Sequence, residues 1–144
     1  MKQKNTAEHH ITIRSSTMTY VTDSKLDFDI STVSWILDRL AVTNIVGAQI
    51  VWKNSRHCVI NTAAELQTNC DYKIPVAPYD GAISVRDSLN TLAHLIHTIF
   101  EETELNVVVH CYAGMERSAL TCVWYMHQYH NMTLDEAYDT IKNI

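Results

Sequence analysis

The chain has 144 residues, 47% of them apolar and 19% charged, with a net charge of −5. That size fits one domain with a substantial core, and that balance excludes a disordered chain. No apolar run approaches the roughly 20 residues of a membrane span, and no block of Lys or Arg offers a nucleic-acid face.

The polar Met1–His10 segment is followed by no signal-peptide stretch. Four cysteines, at 58, 70, 111 and 122, form no C-x-x-C pair. They suggest neither a zinc knuckle nor a disulfide scaffold, so a reduced, cytoplasmic protein is expected, with a nuclear pool compatible. Residues 1–30 are read as an N-terminal segment of uncertain structure, with short strands possible at Ile11–Arg14 and Met18–Thr22. Residues 31–144 are read as one folded domain.

Val33, Ile36, Leu37 and Leu40 have helical spacing, so a helix is expected over Ser31–Leu40, with Ser31 or Thr32 as N-cap. A strand over Leu40–Asn44 is the alternative. Gly47–Asn54 reads as a short helix or turn. His57–Asn61 is a buried strand, and Tyr72–Val76 a second strand ended by Pro75 and Pro78. Val85–Glu102 is the clearest helix, its apolar residues recurring from Leu89 to Phe100, with Ser84 and Asp87 resembling a capping box. Asn106–His110 is an apolar strand and Arg117–His130 a largely apolar helix. Thr133 with Glu136 marks a last helix start. Strands separated by helices predict an α/β fold around a central, mainly parallel sheet flanked by helices.

The informative stretch runs from Val107 through His110, Cys111, Tyr112, Ala113, Gly114, Met115, Glu116 and Arg117 to Ser118. A buried strand ends, a cysteine follows, and a tight loop leads through an arginine into a helix. Ligands bind at the carboxyl ends of strands in such sheets. A loop entering a helix can turn its N–H groups inward as an anion nest, and Gly114 supplies the backbone freedom. Arg117 can grip two phosphate oxygens with its planar fork. The same field is expected to lower the pKa of Cys111 and leave a thiolate beneath the bound phosphate.

His-Cys-x-x-Gly-x-x-Arg-Ser resembles the signature loop of the cysteine-dependent protein phosphatases, above all the dual-specificity branch. Cys111, Ala113, Gly114, Arg117 and Ser118 stand at matching positions. Val59–Glu65 resembles the family's Val-Ile-Asn-x-x-x-Glu segment, and Tyr72–Val76 the strand before its acid loop. Tyr125-Met126 and Thr133–Tyr138 resemble its two closing helices, so the likeness spans residues 36–144. The resemblance implies a compact phosphatase fold with the phosphate loop between a central strand and a helix. It also implies hydrolysis of phosphotyrosine and phosphoserine/threonine on proteins through a cysteinyl-phosphate.

The resemblance further implies roles. Cys111 is the nucleophile, and residues 111–117 are the phosphate-binding loop. Ser118 eases departure of the sulfur, and His110 holds the loop. An aspartic acid upstream serves as general acid and then base. Asp80, 31 residues before Cys111, is the candidate, with Asp71 and Asp87 as runners-up. Phosphorylated proteins are the implied substrates; no cofactor, metal, nucleic acid or membrane is implied.

Glu116 departs from the family, which carries Ser or another small neutral residue there. A carboxylate pointing inward would oppose a dianionic substrate, so an outward side chain is expected. The chain ends soon after its last helix starts, so a near-minimal fold with a shallow pocket is expected. Phosphoinositide or RNA 5′-phosphate substrates, a silent phospho-binding module and a rhodanese-like sulfur transferase are the competing functions. Cys58, Cys70 and Cys122 read as core residues, although a disulfide between Cys122 and Cys111 is conceivable. Trp35, Trp52 and Trp124 read as core. His94, His97, His127 and His130 read as solvated or half-buried helix residues rather than metal ligands.

Overall fold

The computed structural model describes residues 33–76, 85–112 and 116–142. The strands are β1 (Ser34–Leu37), β2 (Leu40–Thr43), β3 (His57–Asn61), β4 (Tyr72–Lys73) and β5 (Asn106–His110). The helices are α1 (Ile45–Val51), α2 (Val85–Glu102), α3 (Glu116–Tyr129) and α4 (Leu134–Lys142). Among the described residues the sheet order is β1-β2-β5-β3-β4, with the β1–β2 pair antiparallel and the other pairs parallel. The expected α/β architecture with a mainly parallel sheet is what the structure shows.

Both faces of the sheet are covered, as a parallel sheet requires. Side chains alternate along each strand. Leu40 and Val42 of β2, Cys58 and Ile60 of β3, and Val107 and Val109 of β5 pack with Leu92, Ile96, Val123 and Met126 of α2 and α3. Between Cys58 and Ile60, Val59 turns to the opposite face and packs with Ala48 of α1 and Cys70. Asn44 caps α1, its side chain accepting from the Gly47 N–H at 2.9 Å. A Cβ at Gly47 would run into the Thr43 side chain, so β2 and α1 meet there at glycine distance.

The helix expected over Ser31–Leu40 is not formed. Ser34–Leu37 and Leu40–Thr43 instead make a hairpin that turns at Asp38 and Arg39. A tertiary contact decides it. The Arg39 guanidinium donates to the carbonyls of Leu105 at 2.7 Å and Thr103 at 2.9 Å, beyond the end of α2, and stacks over the Phe100 ring. Trp35 is correspondingly not core: it is 39% exposed, with its ring beside His57. Trp52 and Trp124 are half-buried.

The strand expected over Tyr72–Val76 is reduced to Tyr72–Lys73. The chain still runs alongside β3: Ile74 donates to the Asn61 carbonyl and Val76 to that of Thr62, each at 3.0 Å. The α4 start follows its capping box. Glu136 N–H donates to Thr133 Oγ1 at 3.0 Å, and Thr133 N–H donates to Glu136 Oε1 at 2.9 Å. Ser84 and the strands considered at Ile11–Arg14 and Met18–Thr22 lie outside the described residues.

β5 is central and carries the signature loop at its carboxyl end. The carboxyl ends of β2, β3 and β4 point the same way.

Candidate active site

Cys111 follows β5 directly and is buried, as is Ser118 in the first turn of α3. Their Sγ and Oγ atoms lie 3.5 Å apart, within reach of a hydrogen bond to sulfur. Strand and helix thus bring together two of the expected residues across the loop between them.

The backbone at the end of β5 is held from both sides. Thr62 donates to the His110 carbonyl through its N–H at 2.9 Å and its hydroxyl at 3.0 Å. His110 is fully buried, with Nδ1 3.1 Å from the Cys111 carbonyl and Nε2 3.3 Å from Thr68 Oγ1. A carbonyl only accepts, so Nδ1 carries the proton and Nε2 accepts from the Thr68 hydroxyl. Asn61 Nδ2 in turn donates to Thr68 Oγ1 at 3.3 Å. The bonds therefore run in one direction, from Asn61 through Thr68 and His110 to the Cys111 carbonyl. Burial pushes the His110 pKa down to about 4, opposed by its bond to that carbonyl, so the ring is neutral at physiological pH.

Arg117 begins a second network. Its Nη1 and Nη2 donate to Glu65 Oε1 and Oε2 at 2.8 and 2.7 Å, a bidentate fork. That hydrogen bonding outweighs desolvation and, with smaller contributions from the Arg117 and Lys73 charges, holds the Glu65 carboxyl down at about 2. Glu65 is the functional candidate that sequence reasoning passed over. Its signal was present, as the last residue of the Val59–Glu65 segment, but no role had been attached to it. Thr62 and Lys73 lie within the Val59–Glu65 and Tyr72–Val76 segments without a role of their own there, and Thr68 left no sequence signal.

The remaining candidates are placed as follows. Tyr112 is exposed at 51%, and Glu116 is exposed at the first position of α3, in keeping with an outward side chain. Ala113, Gly114, Met115 and Asp80 lie outside the described residues. The runner-up Asp71 is buried, and its Oδ2 accepts from the Val59 N–H at 2.8 Å. Its carboxylate fastens β3 to the following loop. Asp87 is exposed in the first turn of α2. Cys58, Cys70 and Cys122 are buried thiols, as expected of core residues. Burial pushes Cys70 up to about 12 and Cys122 higher still. His94 and His130 are exposed and His97 and His127 half-buried. Among the described residues no group of side chains has a metal-binding arrangement, and no helix is long and apolar enough to cross a membrane.

Known proteins resemble this arrangement. The family model for the dual specificity phosphatase catalytic domain matches residues 33–144. Mouse dual specificity protein phosphatase 14 is 36% identical over 90 residues, which cover 59% of this chain and 44% of that protein. Human dual specificity protein phosphatase 18 is 30% identical over 122 residues, covering 79% of this chain and 64% of its own length. The chain therefore spans less than two thirds of either relative. Among solved structures, human DUSP28 superposes with a TM-score of 0.64 over 77% of this chain and 79% of its own, at 14% identity. At that identity the likeness is one of fold.

Proposed function

The chain belongs to the dual specificity phosphatase family, and from that premise we propose that it hydrolyses phosphate monoesters of proteins, on tyrosine and on serine or threonine. The observation that carries this reading is the placement of Cys111 at the end of the central strand, 3.5 Å from Ser118. Arg117, six residues after Cys111 in sequence, is held by Glu65.

The chemistry balances with this chain's own residues. The Cys111 thiolate attacks phosphorus, a sulfur–phosphorus bond forms, and the ester oxygen leaves with a proton from Asp80. Loop N–H groups from Cys111 to Arg117 and the Arg117 fork hold the phosphoryl oxygens. Water then attacks phosphorus and gives a proton back to Asp80. The sulfur leaves as thiolate, accepting a hydrogen bond from the Ser118 hydroxyl. His110 never touches substrate and fixes the strand end through the Cys111 carbonyl.

The catalytic domain is taken to be residues 31–144, supported by the family match, and the partners are phosphorylated proteins. A cytoplasmic or nuclear location is proposed because a reactive thiol needs a reducing compartment.

Phosphate release tests the reading. The substrates are phosphotyrosyl and phosphothreonyl peptides, a phosphoinositide and a 5′-phosphorylated RNA, and sulfur transfer from thiosulfate to cyanide is followed alongside. Turnover of the peptides is expected. Turnover of only the lipid or the RNA would replace the protein substrate. Sulfur transfer from thiosulfate alone would replace the reaction class. Phosphate binding with no turnover of anything would leave a phospho-binding module.

A further inference from the structure

The chemistry above gives no task to Lys73. It stands opposite Asn61 in the parallel β3–β4 pair, so the two side chains lie next to each other on one face of the sheet. Both reach the same acceptor. Lys73 Nζ donates to the Leu66 carbonyl at 2.7 Å, and Asn61 Nδ2 donates to it at 3.1 Å. The Leu66 N–H donates back to the Ala63 carbonyl at 3.2 Å. Leu66 immediately follows Glu65, so the backbone beside the Arg117 partner is fixed at both its donor and its acceptor.

The side chain of Glu65 itself is half exposed. An exposed ion pair is weak when both partners must be ordered from a mobile state. It gains strength when the backbone beneath one partner is already fixed. A half-buried ammonium does this well, because it tethers a carbonyl while its charge favours the neighbouring carboxylate.

We propose that Lys73 is a positioning residue for Arg117, acting through the Leu66 carbonyl and Glu65 and never touching substrate. The chain of contacts runs from β4, through the 62–71 loop, to the guanidinium at the start of α3. The inference rests on the reading of Arg117 as a phosphate ligand.

The test is a double-mutant cycle of Lys73→Met and Glu65→Gln, with Lys73→Arg as the conservative variant. The readouts are the Kd of inorganic phosphate by calorimetry and kcat/KM on an aryl phosphate. Lys73→Met should weaken both by about threefold, no more than Glu65→Gln itself and within the range for residues sharing one network. Lys73→Arg should restore most of the loss. In the Glu65→Gln background, Lys73→Met should change phosphate binding little further. An unchanged phosphate Kd in Lys73→Met would overturn the proposal. So would an equal loss in both backgrounds, which is the mark of a general structural role. If the wild type binds phosphate without turnover, the phosphatase reading falls while the phosphate Kd still decides the role of Lys73. If it does not bind phosphate, the reading of Arg117 and this inference fall together.

Discussion

Arg117 and Glu65, 52 residues apart in sequence, meet in a parallel fork of two hydrogen bonds at 2.8 and 2.7 Å. In the proposed phosphatase this orients the guanidinium before phosphate arrives, which lowers the ordering cost of binding. Helix α3 supplies the arginine and the loop after β3 supplies the carboxylate, so sheet and helix are fastened where the signature loop ends.

Glu65→Gln keeps the shape and removes the charge. We expect kcat/KM on an aryl phosphate to fall about three- to tenfold, since the pair is bidentate yet partly exposed. The Glu65 carboxyl is depressed to about 2. Its pair is thus intact above the ordinary carboxylate pKa and lost only as pH falls towards 2. The limbs of the pH–rate profile near neutrality should be the same in wild type and variant. A limb that moves would show Glu65 titrating there.

His110 makes stability depend on pH. Its pKa is depressed from 6.5 to about 4, so the unfolded chain binds the extra proton first as pH falls. The stabilisation of the neutral ring is complete above about 6.5 and is lost as pH falls towards 4, to the extent of about 3 kcal/mol. Urea unfolding across that window should show a steeper loss for wild type than for His110→Gln, which has no ring to titrate. Equal slopes would contradict the buried neutral assignment.

Ser118→Ala should separate the two chemical steps. A hydrogen bond to a charged atom is worth about 1.5–3 kcal/mol, or roughly 10- to 100-fold in rate. If the bond acts on the departing sulfur, stopped-flow traces should show a burst of phenol and then slow turnover. A slowed burst with no change in the later phase would assign Ser118 to the first step instead.

Asp80→Ala should cost little on aryl phosphates with very acidic phenols and far more on alkyl or weakly acidic leaving groups, because only the latter need the proton. A uniform loss would return the acid role to another residue. Asp71 is a poor substitute, since its buried carboxylate is committed to the Val59 N–H.

Elements with a strong local pattern were legible in the sequence. α2 spans Val85–Glu102 as its apolar period indicates, and β3 and β5 match their β-branched runs. The Thr133–Glu136 box predicted the start of α4 because its two bonds are local. β1 was read as helix because Val33, Ile36, Leu37 and Leu40 match a helical period, whereas the alternative strand over Leu40–Asn44 agrees with β2; Arg39 anchors the turn between them through carbonyls more than 60 residues away. At the site, Cys111, Arg117 and Ser118 share one short segment and announce themselves. Glu65 closes the Val59–Glu65 segment, yet its role depends on a partner no local pattern reveals. Thr68, bonded to both Asn61 and His110, and Lys73, bonded to the Leu66 carbonyl, sit in irregular loop and edge strand, where no periodicity marks them.

Hydrolysis of a small aryl phosphate by wild type and Cys111→Ser, with and without vanadate, tests the central claim most directly. The account predicts turnover that vanadate blocks and that the serine variant lacks while still folding and binding phosphate. Turnover that survives in Cys111→Ser would contradict it, because the phosphoryl group would then not pass through the sulfur.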